Sequence, residues 1–355
     1  MRLGSYAFDA SAIAAALVVA LVRLPAGWIE RHYSNGAYPV AARVVRTIVE
    51  PLPFCLGDVL FVMAIVWLVR YVVVTLRRSR GGPSRTRSAL EACVRVVAVA
   101  CAIFVWFVLA WGLGYGRIPL ADKIVVHDER TNEDTVAAFA DDVVDRLSRD
   151  APAAHREPFD RRTLGARLRP TFDAAIARLG DRATFAPPRV KPTMFQPLME
   201  WTATAGFTDP WTHEVNVDAA ATPYERPAYY AHEWAHVAGF NDEAEANFIS
   251  VLACTTSRDP LLIYSGWLLV WFNLPPGARV THHMGRLAYD DIMAIRKRVL
   301  AHVNVRAARV QQVAYDRYLK SNHVKAGYRS YRLFIRWMTG ADFDRSGLPR
   351  VRPNG

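Results

Sequence analysis

Residues 229–248 read Tyr229-Tyr230-Ala231-His232-Glu233-Trp234-Ala235-His236-Val237-Ala238-Gly239-Phe240-Asn241-Asp242-Glu243-Ala244-Glu245-Ala246-Asn247-Phe248. On a helix, positions i and i+4 project from one face, so His232 and His236 can reach one ion. Glu233 sits beside the first histidine, where a carboxylate can take a proton from water. This is the physical logic of the His-Glu-x-x-His pattern of zinc peptidases, in which zinc acidifies water and polarises a carbonyl. Gly239 suits a left-handed C-cap and a sharp change of direction. A second helix then opens with three acids, Asp242, Glu243 and Glu245. A zinc hydrolase needs a third protein ligand and one open position. Glu243 is the first choice for that ligand, then Asp242, then Glu245, although any one acid here also suits the first turn of a helix.

Upstream, the residues 213–218 alternate polar and apolar and predict a short strand. His213 and Glu214 there could border a substrate path, or simply form a solvated strand face. Tyr229, Tyr230 and Tyr264 are candidate hydroxyl donors to an oxyanion. His282 and His283 form a pair with no partner motif and are read as surface.

The rest of the chain is organised by hydropathy. Hydrophobic residues make up 52% of the 355, and they concentrate in the first third. Apolar runs over about residues 7–29, 54–76 and 96–115 predict three transmembrane helices. The first contains Asp9 and Arg23 and is the weakest, and with only Arg2 ahead of it, it reads as a retained helix rather than a cleaved leader. Asp58 and Arg70 fall near the ends of the second run, where interfacial placement relieves their cost. Arg77, Arg78, Arg80, Arg85, Arg87 and Arg95 make the segment between the second and third runs cytoplasmic. The segment 30–52 is expected as an external loop, and the chain after residue 118 as extracytoplasmic. A net charge of +11 is better explained by arginines flanking apolar runs than by nucleic acid, for which no motif is present. The four cysteines form no Cys-x-x-Cys pair, so a metal would use histidine and carboxylate.

Beyond residue 118, amphipathic periodicity predicts helices over residues 131–149 and 168–179, the latter ended by Gly180. Pro187, Pro188, Pro192 and Pro197 then interrupt the pattern. The apolar stretch 261–272 is too short for an ordinary span and predicts a buried core helix. The expected architecture is a mostly α membrane protein. Residues 1–118 form the anchor, and residues 119–355 an α+β zincin-like domain with a small sheet.

Several stretches together resemble the uncharacterised bacterial membrane proteins grouped as domain-of-unknown-function family 3810. They are Tyr33-Ser34-Asn35-Gly36-Ala37-Tyr38-Pro39, Pro53-Phe54 with Leu56-Gly57-Asp58, and Trp111-Gly112-Leu113-Gly114-Tyr115. Further along come Glu214-Val215-Asn216-Val217, the histidine helix with Glu243-Ala244-Glu245-Ala246-Asn247-Phe248, Tyr264-Ser265-Gly266 and Tyr318-Leu319-Lys320. The resemblance implies a zincin-like metallopeptidase relative with no assigned substrate. Comparison with membrane peptidases carrying Glu-x-x-Ala-Asp after the zinc helix favours Glu243 as ligand. It also places Asn247 where an aspartate would orient a zinc-bound histidine. The expected function is a zinc-dependent peptidase of the inner membrane acting on an extracytoplasmic peptide, with Zn2+ on His232, His236 and Glu243 and Glu233 as general base. The alternative is a catalytically silent, membrane-anchored metal-binding or scaffold protein.

Overall fold

The computed structural model describes residues 2–78, 85–180, 188–279 and 282–353. Arg80 and Pro187 lie outside the described residues. The chain is mostly helical, and its described residues contain one two-stranded sheet.

Helix α1 (Arg2–Leu21) is apolar but ends early. The expected apolar helix over residues 7–29 is broken after Leu21. Pro25 has no N–H to donate and disfavours helical backbone at Leu24, so the chain breaks there. It resumes as α2 (Ala26–Trp28), widens into π-helical turns (Ile29–Ala37) and continues as α3 (Tyr38–Val49). Together α1 and the stretch Ala26–Val49 are bent by 114°. The expected loop over 30–52 is therefore largely helical. Its Tyr38, Ala42 and Val49 are buried on one side, which gives that helix a packing face.

Helices α4 (Leu56–Arg78) and α5 (Arg85–Ala110) contain the two stretches long and apolar enough to cross a membrane, Leu56–Thr75 and Arg87–Ala110. The bent pair makes a third if it is counted as one span. Helix α5 begins before the expected residue 96 and takes Arg95 into its interior. There Arg95 Nη1 pairs with Asp9 of α1 at 3.0 Å, so the charge is answered where the two helices pack. It also stops before 115, because Gly112–Gly116 tightens into a 3-10 turn.

A short α6 (Leu120–Lys123) leads into α7 (Glu133–Ala154), capped by Asn132, and α8 (Arg161–Arg178), capped by Asp160. Both match the amphipathic predictions and extend them by a turn or two. Gly180 follows in left-handed conformation. Then come α9 (Gln196–Thr202), β1 (Gly206–Thr208) and β2 (Val215–Val217). The strands pair antiparallel with Gly206 opposite Val217 and Thr208 opposite Val215. The predicted strand is thus shorter than residues 213–218, and its partner β1 carries no alternating pattern of its own.

Helices α10 (Arg226–Val237), α11 (Glu243–Thr255) and α12 (Pro260–Asn273) form the centre of the domain. Helix α12 is the expected core helix: Leu261, Leu262, Tyr264, Leu268 and Val270 are buried against α7, α10 and α11. The chain closes with α13 (Arg286–His302), α14 (Val305–Ser321) and α15 (Phe334–Gly340). One continuous apolar core runs from Leu120 through α7, α8, α10, α11 and α12 to Leu348. The cysteines are all free.

The apolar helices are tied to this core by buried polar contacts. Glu214 accepts hydrogen bonds from the Leu56 and Gly57 amides at 3.0 and 2.9 Å, and so caps the N-terminus of α4. Lys191 answers its charge at 2.8 Å. Lys191 also donates to the carbonyls of Val49 and Phe54, fixing the α3–α4 connection. Glu30 meets Arg117 at 2.8 Å and Lys123 at 2.5 Å, all three buried.

Candidate metal centre

Helix α10 carries His232, Glu233 and His236 on a turn packed between the core and β1. It ends as the sequence implied. Gly239 has φ of +90°, and the Phe240 amide donates back to the Ala235 carbonyl at 3.0 Å. That reversal brings the Phe240 carbonyl to 2.8 Å from His236 Nδ1. A carbonyl only accepts, so in the neutral ring Nδ1 carries the proton and Nε2 is the nitrogen that can ligate.

His232 is oriented in the same way. Its Nδ1 lies 2.9 Å from Asn247 Oδ1, and Asn247 Nδ2 donates to the Tyr331 carbonyl at 2.9 Å. The second bond fixes which end of the amide faces the ring. Both Nε2 atoms therefore point inward, 3.1 Å apart.

Glu243 opens α11 and meets them. Its Oε2 is 3.2 Å from His232 Nε2 and 3.4 Å from His236 Nε2. With neutral imidazoles this buried oxygen has no donor. Its other oxygen accepts a short hydrogen bond from the Tyr315 hydroxyl. Three ligand atoms thus lie close enough to share one ion, and His232, His236 and Glu243 are the group of this kind found among the described residues. The donor set of two imidazole nitrogens and one carboxylate oxygen suits Zn2+ with an open fourth position.

The other two acids are spoken for. Asp242 is the N-cap of α11, accepting from the Ala244 and Glu245 amides. Glu245 is two residues from Glu243, hence on another face of the helix, and accepts from the Leu120 amide at 2.6 Å.

The charge state of the site follows from burial and proximity. Burial alone would lower the pKa of His236, but Glu243 beside it overrides this and pushes it up to about 9. Burial would raise Glu243, yet His236 and His232 hold it well below the usual carboxylate range. Glu233 is raised by burial, with the two histidines and Thr208 pulling against that. Glu233 Oε2 accepts from Thr208 Oγ1 at 2.8 Å. A Cβ at Gly206 would stand 2.6 Å from Glu233 Oε1, so β1 passes this carboxylate closely enough to need a glycine.

The candidate tyrosines Tyr229, Tyr230 and Tyr264 have partners elsewhere. Tyr229 donates to Glu225, Tyr264 to Asp291, and Tyr230 interacts with Arg226. The hydroxyls at the site come from α14 and the turn after it. Burial and Glu243 push Tyr315 far up, which keeps it a donor. Tyr331 lies parallel to the His232 ring, and Tyr115 donates to Tyr318 at 3.2 Å next to them. The sequence held a signal for this cluster in the i, i+3 pairs Tyr315/Tyr318 and Tyr328/Tyr331. His213 and Glu214 are not a solvated strand face. His213 is buried against Tyr38 and Trp111 in left-handed conformation, where burial pushes it down to about 4. Glu214 is the helix cap described above. His282 and His283 are exposed and contact each other. Asp58, at the start of α4, accepts from Thr193 and the Met194 amide.

The family model described as "Protein of unknown function (DUF3810)" matches residues 33–339, and the chain belongs to that family. No curated protein and no solved structure matches it.

Proposed function

We propose that this member of the family is a membrane-anchored, zinc-dependent peptidase whose ligands are His232, His236 and Glu243. The carrying observation is the Glu243 oxygen that faces two inward-pointing imidazole nitrogens and no neutral donor, with a buried Glu233 beside it. A Zn2+ ion held there would lower the pKa of water from ~15.7 toward about 7 and polarise a scissile carbonyl. Glu233, raised by its burial, takes the proton of the attacking water and returns it to the departing amine. Thr208 orients the Glu233 carboxylate, and Asn247 and the Phe240 carbonyl hold the two rings in their ligating tautomers. The zincin-like fold, three spans and an extracytoplasmic domain belong to the same reading. It takes the bent α1–α3 pair as one span and the arginines flanking α4 and α5 as cytoplasmic.

The test uses purified full-length protein. Wild type should hold about one zinc per chain, and His232→Ala should hold none. Glu233→Gln should keep the zinc and lose cleavage of a peptide library. Wild type without stoichiometric zinc would overturn the proposal.

A second reading, a silent metal-holding scaffold, is favoured by enclosure. The side chains of His232, His236 and Glu243 are only 12%, 8% and 2% exposed. Zinc-loaded wild type that cleaves no more than Glu233→Gln would select it.

A further inference from the structure

The segment running from Pro192 into α9 lies against the first turns of α4. Asp58 holds it there, accepting from Thr193 Oγ1 at 3.0 Å and from the Met194 amide at 2.6 Å. The Phe195 ring meets Phe61 edge-on at 5.2 Å. Phe61 is five residues into α4, about 7.5 Å along its axis at 1.5 Å per residue. The segment therefore flanks the apolar stretch Leu56–Thr75 itself and not merely its end.

Its exposed positions are Pro192, Met194, Pro197, Leu198 and Trp201, with no charge among them. Leu198 and Trp201 are 49% and 54% exposed and, at i and i+3 on α9, share a face; Met194, in the turn just before the helix, is 56% exposed. The opposite side is polar and fastened to the domain. Gln196 donates to Asp218 at 2.7 Å and to Glu200 at 2.8 Å, and the Trp201 carbonyl accepts from the Asn304 amide at 2.9 Å. Between segment and helix runs a groove of about 460 Å³, whose lining is apolar at Phe54, Val59, Val62, Met63, Pro192 and Met194 and also includes Asp58 and Thr193, which bond to each other. The apolar surface is continuous from the segment, through the groove, onto exposed Val62, Met63 and Val66 of α4.

We propose that this surface is a lipid contact: α9 lies in the membrane boundary with Met194, Leu198 and Trp201 among acyl chains, and the groove takes one acyl chain. The chemistry fits. An amphipathic segment with a Trp at its rim partitions into the interface, and its uncharged exposed face continues a helix surface that itself suits lipid. A soluble protein partner would need no such continuity with a span. The inference is independent of the metal reading and extends membrane contact from the helices to the domain that carries the site.

The test is a photo-reactive benzophenone side chain placed at position 198 or 201 of the full chain, reconstituted in phosphatidylcholine vesicles. Position 66 in α4 serves as lipid reference, and position 162, the site of an exposed arginine on α8, as aqueous reference. Illumination should give phospholipid adducts at 198 and 201 in yields comparable to 66, with loss of that product at 162. Lipid adducts at 66 but not at 198 and 201 would overturn the proposal alone, as would adducts there to a second copy of the chain. Absence of lipid adducts at 66 as well would overturn the membrane reading with it.

Discussion

Two buried carboxylates, Glu30 and Glu243, stand in opposite electrostatic situations. Glu30 is met by Arg117 and Lys123, and Arg117 also donates to the Gly239 carbonyl at 3.1 Å and lies over the Phe240 ring. The chain supplies its own fixed cations there. At Glu243 it supplies two imidazoles and the tyrosine hydroxyls of Tyr315 and Tyr331, none of which carries a permanent positive charge. Among these neighbours, positive charge comes from a proton on an imidazole, and His236 is raised to about 9 accordingly. A carboxylate with a guanidinium and an ammonium is a fastener. One whose positive partner can leave as a proton is a place where another cation can enter. The two are neighbours, since Arg117 grips the turn whose Phe240 carbonyl orients His236.

The sharpest way to break this comparison is to neutralise each carboxylate in turn. Glu30→Gln strands two buried cations and should cost about 3–5 kcal/mol in detergent-solubilised unfolding. Glu243→Gln should cost metal-free protein about 1 kcal/mol or less, because His236 can discharge its proton while Arg117 cannot. The same variant should abolish zinc binding. Equal destabilisation by both variants would remove the distinction.

A smaller effect concerns pH. Zinc must displace the His236 proton, whose pKa is raised to about 9. Metal affinity should therefore rise as pH climbs from 7 toward 9, by at most about tenfold per unit for one proton, and then level off. Titration calorimetry in buffers of different ionisation enthalpy should register the released proton. A flat profile would mean that imidazolium does not compensate Glu243.

The smallest expected change is at Tyr315. Its hydroxyl occupies one Glu243 oxygen and leaves Oε2 for the histidines. Tyr315→Phe should weaken zinc binding by about 10-fold, in the range seen when partners of metal ligands are removed. Equilibrium competition with a chelator measures it. An unchanged affinity would show that Tyr315 only fills space.

The α10 pattern, the Gly239 reversal and the start of α11 were legible because each depends on residues within one or two helical turns. Hydropathy likewise marked α4, α5 and α12, since length and apolar composition are local properties. The break in the first apolar run was not legible, because apolar composition continues across Pro25, and the helices beyond it pack against distant parts of the chain. The tyrosine cluster and the fastening of α4 by Glu214 lie 72 and 157 residues apart from their partners in sequence. The i, i+3 tyrosine pairs mark a cluster, but nothing local says which distant acid each hydroxyl meets.

By itself, then, the sequence determined that two histidines and a glutamate share one helix, that an acidic turn follows, and that long apolar helices precede them. Only the tertiary structure decided which acid returns. Asp242 is consumed as a cap, Glu245 turns to the Leu120 amide, and Glu243 alone of the three reaches both imidazoles. The physical reason is that three acids in one helical turn are alike in composition but point to different sides, and each side's neighbours come from distant parts of the chain.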